Sequence, residues 1–145
     1  MSPDLTGLID LSGLCLAILL VRPRLWVILG IGIVAGLLAM FFSKSSIAWF
    51  NIPVHTVGAW VTALVALRLG KLLTGPVDWK PAVGALAYGA VSGGLFVTAL
   101  LIAGILPLQA YVPEGWVPVL LSTLSSIIID MILYPPAQWL YERIK

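Results

Sequence analysis

The chain has 145 residues, 61% of them hydrophobic and 10% charged, with a mean hydropathy of +1.10. Soluble domains carry about 25% charged residues, so this composition excludes a soluble globular domain and predicts an all-α integral membrane protein, one transmembrane helical domain over residues 1–145. A net charge of +2 without a basic cluster leaves no footprint for nucleic acid, and a lone Cys15 has no partner for an intrachain disulfide or a thiolate metal cluster.

Apolar runs of about 17–25 residues read as membrane-spanning helices, and the chain predicts a bundle of about five. The first runs from Leu5 to Val21, with Ser2-Pro3 as its cap and first turn. No basic n-region or cleavage site marks a removable signal peptide there. Arg22-Pro23-Arg24 ends this helix, and the second runs from Leu25 to Phe42. Residues 43–53 form a loop. The third helix runs from Val54 to Thr74, entered through Asn51-Ile52-Pro53, because proline is tolerated where the first-turn N–H is unpaired anyway. Residues 75–81 form a polar turn, and the fourth helix runs from Ala82 to Leu106. Residues 107–116 form a second loop. The fifth helix runs from Val117 to Tyr134, where Pro135-Pro136 breaks it, and residues 137–145 form a short amphipathic tail.

Basic residues set the orientation. In a five-helix alternation Arg22, Arg24, Arg68, Lys71, Lys80, Arg143 and Lys145 fall on one side, and only Lys44 on the other. The first side is therefore expected in the cytoplasm, with the C-terminus, and the N-terminus outside. Trp26, Trp79 and Trp139 mark the inner interface, and Trp49 and Trp116 the outer one. Gly32 and Gly36, and Ala85, Gly89 and Gly93, form small-residue faces at helical spacing. Such faces let backbones approach closely, within the bundle or against a separate membrane partner.

Polar side chains inside a membrane tend to face the bundle interior. Asp10 lies about 8 Å below the outer end of the first helix, at about 1.5 Å per residue. His55 lies in the first turn of the third helix. Ser122, Ser126 and Asp130 are spaced by four and share one stripe of the fifth. Helix N-termini carry partial positive charge and suit a carboxylate, whereas Asp10 suits an ammonium group. Trp49, Phe50, Trp60 and Trp116 offer rings to a flat apolar body. The expected substrate site is one outer pocket lined by Asp10, Trp49, Asn51, His55, Trp60, Ser122 and Ser126. Against this, a lone histidine near an interface is more often a packed or hydrated side chain, and membrane serines usually bond to their own backbone. Arg68 and Asp130 reach the same depth, about 20 Å from the outer ends of their helices. Either they form an intramembrane ion pair, or Arg68 snorkels to the cytoplasmic headgroups. No nucleophile–base set, metal-ligand spacing or glycine-rich phosphate loop is present, so neither an enzyme nor a cofactor is expected.

The segment Val117-Pro118, then Ser126-Ile127-Ile128-Ile129-Asp130-Met131-Ile132-Leu133-Tyr134-Pro135, then Gln138, resembles the closing helix of the bacterial tryptophan-transporter family. That family is grouped with the substrate-binding S components of energy-coupling factor (ECF) transporters, and its closing helix ends in a similar Tyr-Pro-x-x-Gln. Asn51-Ile52-Pro53 is similar to the family's Gln-Ile-Pro entry to a helix, and Ile18-Leu19-Leu20 before a basic break also fits. The resemblance spans nearly the whole chain through short apolar motifs. It implies six helices with both termini in the cytoplasm, and the five counted here are that pattern without its first helix. His55-Thr56 departs from the Asn and acidic residue that the family tends to carry after the proline. The resemblance implies import of a small aromatic metabolite, with tryptophan the leading candidate, together with a transmembrane T component and two ATPase subunits in the cell membrane. Import of another vitamin or precursor, and a non-transporting scaffold resembling the rod-shape-determining membrane protein, are the competing expectations.

The orientation is checked by cysteine labelling in a Cys15→Ser background. A cysteine at position 78 is expected to resist an impermeant reagent in intact cells, while cysteines within 43–53 and 107–116 react; reaction at 78 reverses the topology.

Overall fold

The computed structural model describes residues 14–21, 24–69 and 77–144. Residues 14–21 are helical and are called α1. They are followed by α2 (Leu25–Phe42), a 3-10 turn (Ala48–Phe50), α3 (Asn51–Leu69), α4 (Lys80–Ile102), a second 3-10 turn (Leu108–Ala110), a π-helical turn (Tyr111–Trp116) and α5 (Val117–Ile144). Among the described residues there is no strand, so the all-α expectation holds. Three helical stretches are long and apolar enough to cross a membrane: Leu25–Phe42, Lys80–Ile102 and Leu108–Ile144. This is fewer than the five predicted spans. Most of the first predicted helix, including Asp10, and the end of the third lie outside the described residues.

The second helix begins and ends where the sequence places it. The fourth ends earlier, at Ile102, because Gly104 adopts φ +69°. Its N–H bonds the Leu101 carbonyl at 3.1 Å and the Ile105 N–H bonds the Leu100 carbonyl at 3.0 Å. This pairing closes the helix end and is the geometry glycine reaches without strain. The expected loop 107–116 is instead two short helical turns leading directly into α5. The expected break at Pro135-Pro136 is also corrected, since α5 continues through both prolines to Ile144. Each proline removes one i→i−4 donor, which leaves the Met131 and Ile132 carbonyls without their helical partners. Beyond the prolines Gln138 Nε2 donates to Glu142 Oε1 at 3.1 Å, and the Arg143 guanidinium lies 3.8 Å over the Trp139 ring.

Helices α2 to α5 pack in chain order, each against the next. A Cβ on Gly32 would lie 2.6 Å from the Thr56 Cα, and one on Gly36 would lie 2.5 Å from the Ile52 Cα. Rising numbers on α2 meet falling numbers on α3, so the pair is antiparallel. Gly89, Gly93 and Gly94 of α4 receive Thr123, Val119 and Trp116 of α5 in the same opposed order. Gly58 of α3 faces the Tyr88 ring of α4, and Thr62 faces Gly84. The small-residue faces therefore serve packing inside the bundle.

Five residues of α1, Leu14, Cys15, Leu16, Ile18 and Leu19, are each no more than 9% exposed. Leu14 and Ile18 pack with Ile28, Ala59, Ala63 and Tyr88. Cys15, Leu16 and Leu19 pack with Ala85 and Tyr134. A helix apolar on all sides is stable only when enclosed, and α1 touches α2, α3, α4 and α5. The outward faces are apolar too. Leu120, Leu124, Ile128 and Ile132 of α5 are each more than half exposed. Such a continuous stripe suits acyl chains and not water.

Glycine substitutions test this packing. Gly32→Ala is expected to destabilise the detergent-purified protein by about 1–3 kcal/mol, since the added methyl meets backbone. Gly30 has nothing within 4 Å of its added Cβ, so Gly30→Ala is expected to be neutral or stabilising by up to about 1 kcal/mol. Thermal unfolding of the two variants checks the difference.

Candidate functional site

The entry to α3 is held by its own side chains. Asn51 is the first residue of the helix and is 8% exposed. Its Nδ2 donates to the Ala48 carbonyl at 2.8 Å, fixing the turn that precedes the helix. Thr56 Oγ1 returns to the Ile52 carbonyl at 2.7 Å. His55 lies one turn in and reaches across to α4, where its Nδ1 and the Tyr88 hydroxyl share a hydrogen bond. The two rings are tilted by 41° with centroids 5.8 Å apart. Gly58 makes room for Tyr88, since a Cβ there would sit 3.1 Å from the ring. Ser92 Oγ donates to the Tyr88 carbonyl at 2.6 Å. His55 is thus joined to a buried tyrosine that the sequence did not single out. The signal for it was present: Gly84, Tyr88 and Ser92 recur every four residues on one face of α4.

The expected outer pocket is only partly assembled. Asp10 lies outside the described residues. Trp49 is 60% exposed and meets Phe50 edge-on at 5.5 Å. Trp60 is 43% exposed, on the outward side of α3 with Val57 and Leu64. It therefore faces the surroundings of the bundle instead of lining its interior. Ser122 is half-buried and donates to the Val119 carbonyl at 2.9 Å. Ser126 is on α5, which packs on the far side of α4 from the α2–α3 pair. Asn51 and His55 stay together at the entry to α3, and the other described members are dispersed.

The opposite end of α4 from its Gly104 cap gathers a second polar group. The buried stripe of α5 is Thr123, Ser126, Asp130 and Tyr134. Asp130 is fully enclosed and lies beside the Cys15 thiol of α1. Apart from that weak thiol donor, neither of its carboxylate oxygens has a hydrogen-bond partner among the described residues, and Ser126 Oγ has none. Thr123 is satisfied by the Val119 carbonyl at 2.7 Å. The expected Arg68–Asp130 ion pair is not formed. Arg68 is exposed, and the ion pair present among the described residues is Lys80–Asp78 at 3.3 Å. An arginine stem near a helix end carries its charge outward more cheaply than it buries it.

Among the described residues no group of three or more His, Cys, Asp and Glu side chains could hold a metal ion. No family model, curated protein or solved structure matches the chain.

Two double-mutant cycles check these assignments. His55→Ala and Tyr88→Phe are expected to couple by about 0.6–1.7 kcal/mol, the range for side-chain hydrogen bonds between membrane helices. Arg68→Ala and Asp130→Ala are expected to lose stability additively. Additive losses in the first cycle, or coupling in the second, would contradict the geometry.

Proposed function

We propose that the chain is the substrate-binding membrane subunit of a transporter, similar to the S components of ECF transporters, and that it takes up a small aromatic metabolite, with tryptophan as the first candidate. The observation that carries this reading is the His55–Tyr88 pair, which joins α3 and α4 one turn below the entry to α3. Ionisable side chains inside a membrane bundle are costly, and they commonly mark a substrate path. The surroundings support the same reading. α3 and α5 run in the same sense, so their N-terminal ends point to the same end of the bundle and offer partial positive charge there to a carboxylate. Trp49 and Phe50 precede α3, while Tyr111 and Trp116, edge-on at 6.5 Å, precede α5. These four rings fall at the same end of the bundle and suit a flat apolar body.

In this proposal Asn51, His55 and Tyr88 form the floor of the site and the aromatic residues its rim. Trp60 takes no part. The end bearing the rim faces outward, as the distribution of basic residues expects. The chain binds and releases without catalysis. Energy comes from a T component and two ATPase subunits, since the sequence carries no nucleotide-binding loop.

A thermal-shift screen of the purified protein against aromatic amino acids and vitamins tests the proposal. A true ligand is expected to stabilise the protein by about 2.7 kcal/mol at 100 times its dissociation constant, and His55→Ala is expected to reduce that gain. A protein stabilised by none of them would be behaving as a scaffold.

A further inference from the structure

We propose that Asp130 and Ser126 form a binding site for a small monovalent cation, sodium or a proton, enclosed where α1 meets α4 and α5. Three oxygen atoms carry the inference. Asp130 is 0% exposed and Ser126 1%; apart from the weak thiol donor of Cys15 beside the carboxylate, Asp130 Oδ1, Asp130 Oδ2 and Ser126 Oγ have no hydrogen-bond partner among the described residues. Buried polar groups are almost always paired, and a buried carboxylate left alone is among the costliest groups a bundle can hold. The two residues are one turn apart on the same face of α5, so their side chains are neighbours.

The charge and donor type define the ligand. One carboxylate neutralises one positive charge, so a divalent ion would leave a net charge buried. Oxygen donors suit a hard cation, and no cluster for a transition metal exists among the described residues. The protein's own described cations are placed elsewhere, since Lys80 pairs with Asp78 and Arg68 is exposed. The titratable groups around Asp130 are the Cys15 thiol from α1 and Tyr134 one turn further along α5. α4 contributes Gly84 and Ala85 at this level and α3 contributes Thr62, none of them charged.

The test uses the full chain in detergent, with sodium chloride replaced by choline chloride at constant ionic strength. Thermal stability and binding of radioactive sodium are measured at acid and alkaline pH for the wild type, Asp130→Asn and Ser126→Ala. If the cation is sodium, the wild type binds it and is stabilised by it. Asp130→Asn then abolishes both effects, and Ser126→Ala weakens binding about tenfold or more. If the cation is a proton, sodium has no effect. The wild type then loses stability as pH rises, Asp130→Asn removes that dependence, and Ser126→Ala shifts it. Asp130→Asn keeps the shape of the side chain, and Ser126→Ala removes only one oxygen, so loss of folding in the first still leaves the second to be read. Sodium and pH responses that survive in both variants overturn the proposal, as does a wild type with neither response.

Discussion

In a bilayer an apolar side chain gains nothing by leaving acyl chains for another helix, so association rests on close contact and on the satisfaction of polar groups. The glycines of α2 and α4 meet that condition. At Gly32 and Gly36 the backbone of α3 comes so near that a single methyl would collide with it. At Gly89 and Gly93 the side chains of α5 occupy the space a Cβ would need. The spacing of these glycines sets the antiparallel register of the helix pairs. That register in turn places His55 opposite Tyr88, and it brings the N-terminal ends of α3 and α5 to the same end of the bundle. It also shapes the enclosure that α1 fills.

The enclosed polar side chains divide into two kinds. Thr56, Ser92 and Thr123 each donate to a carbonyl one turn back on their own helix. This bonding removes the cost of burial without committing the residue to a neighbour. His55 and Tyr88 instead bond across a helix interface, which ties the entry of α3 to the middle of α4. Apart from the weak thiol donor of Cys15, Asp130 and Ser126 do neither. The bundle therefore pairs its polar groups near the α3 entry and leaves oxygens unpaired near the prolines of α5. A site for an organic molecule and a site for a cation at separate levels would follow from that division.

The departures from sequence expectation occur at helix ends. Pro135-Pro136 reads as a stop because proline lacks an N–H and crowds the preceding turn. Yet α5 passes through it to Ile144, since continuing costs only the donors to two carbonyls. Residues 107–116 read as a loop from Pro107, Gln109, Pro113 and Glu114. They coil instead, because Gly115 packs against Val97 and Leu106, and Trp116 lies over Gly94. At residues 107–116 a local propensity was outweighed by contacts with residues of α4 and of the segment that follows it.

Composition alone determined the all-α class and the apolar exterior, because hydrophobic fraction and run length are properties of the chain itself. The sequence also contained the bounds of α2 and the glycine faces, since helical spacing is readable without knowing the neighbour, whereas α3 begins at Asn51, three residues before the expected Val54. It singled out Asn51, His55, Ser126 and Asp130 as polar residues in apolar surroundings. What it did not contain was which of these would meet. Tyr88 was not singled out, because its partner is on another helix. Trp60 looked like a pocket wall because rotation about the helix axis is set by packing. Equal depth made Arg68 and Asp130 look like a pair, but depth fixes only one coordinate. Only the tertiary structure turned Arg68 outward and Asp130 inward against Cys15, because the direction in which a side chain leaves its helix is decided by the neighbours that helix finds.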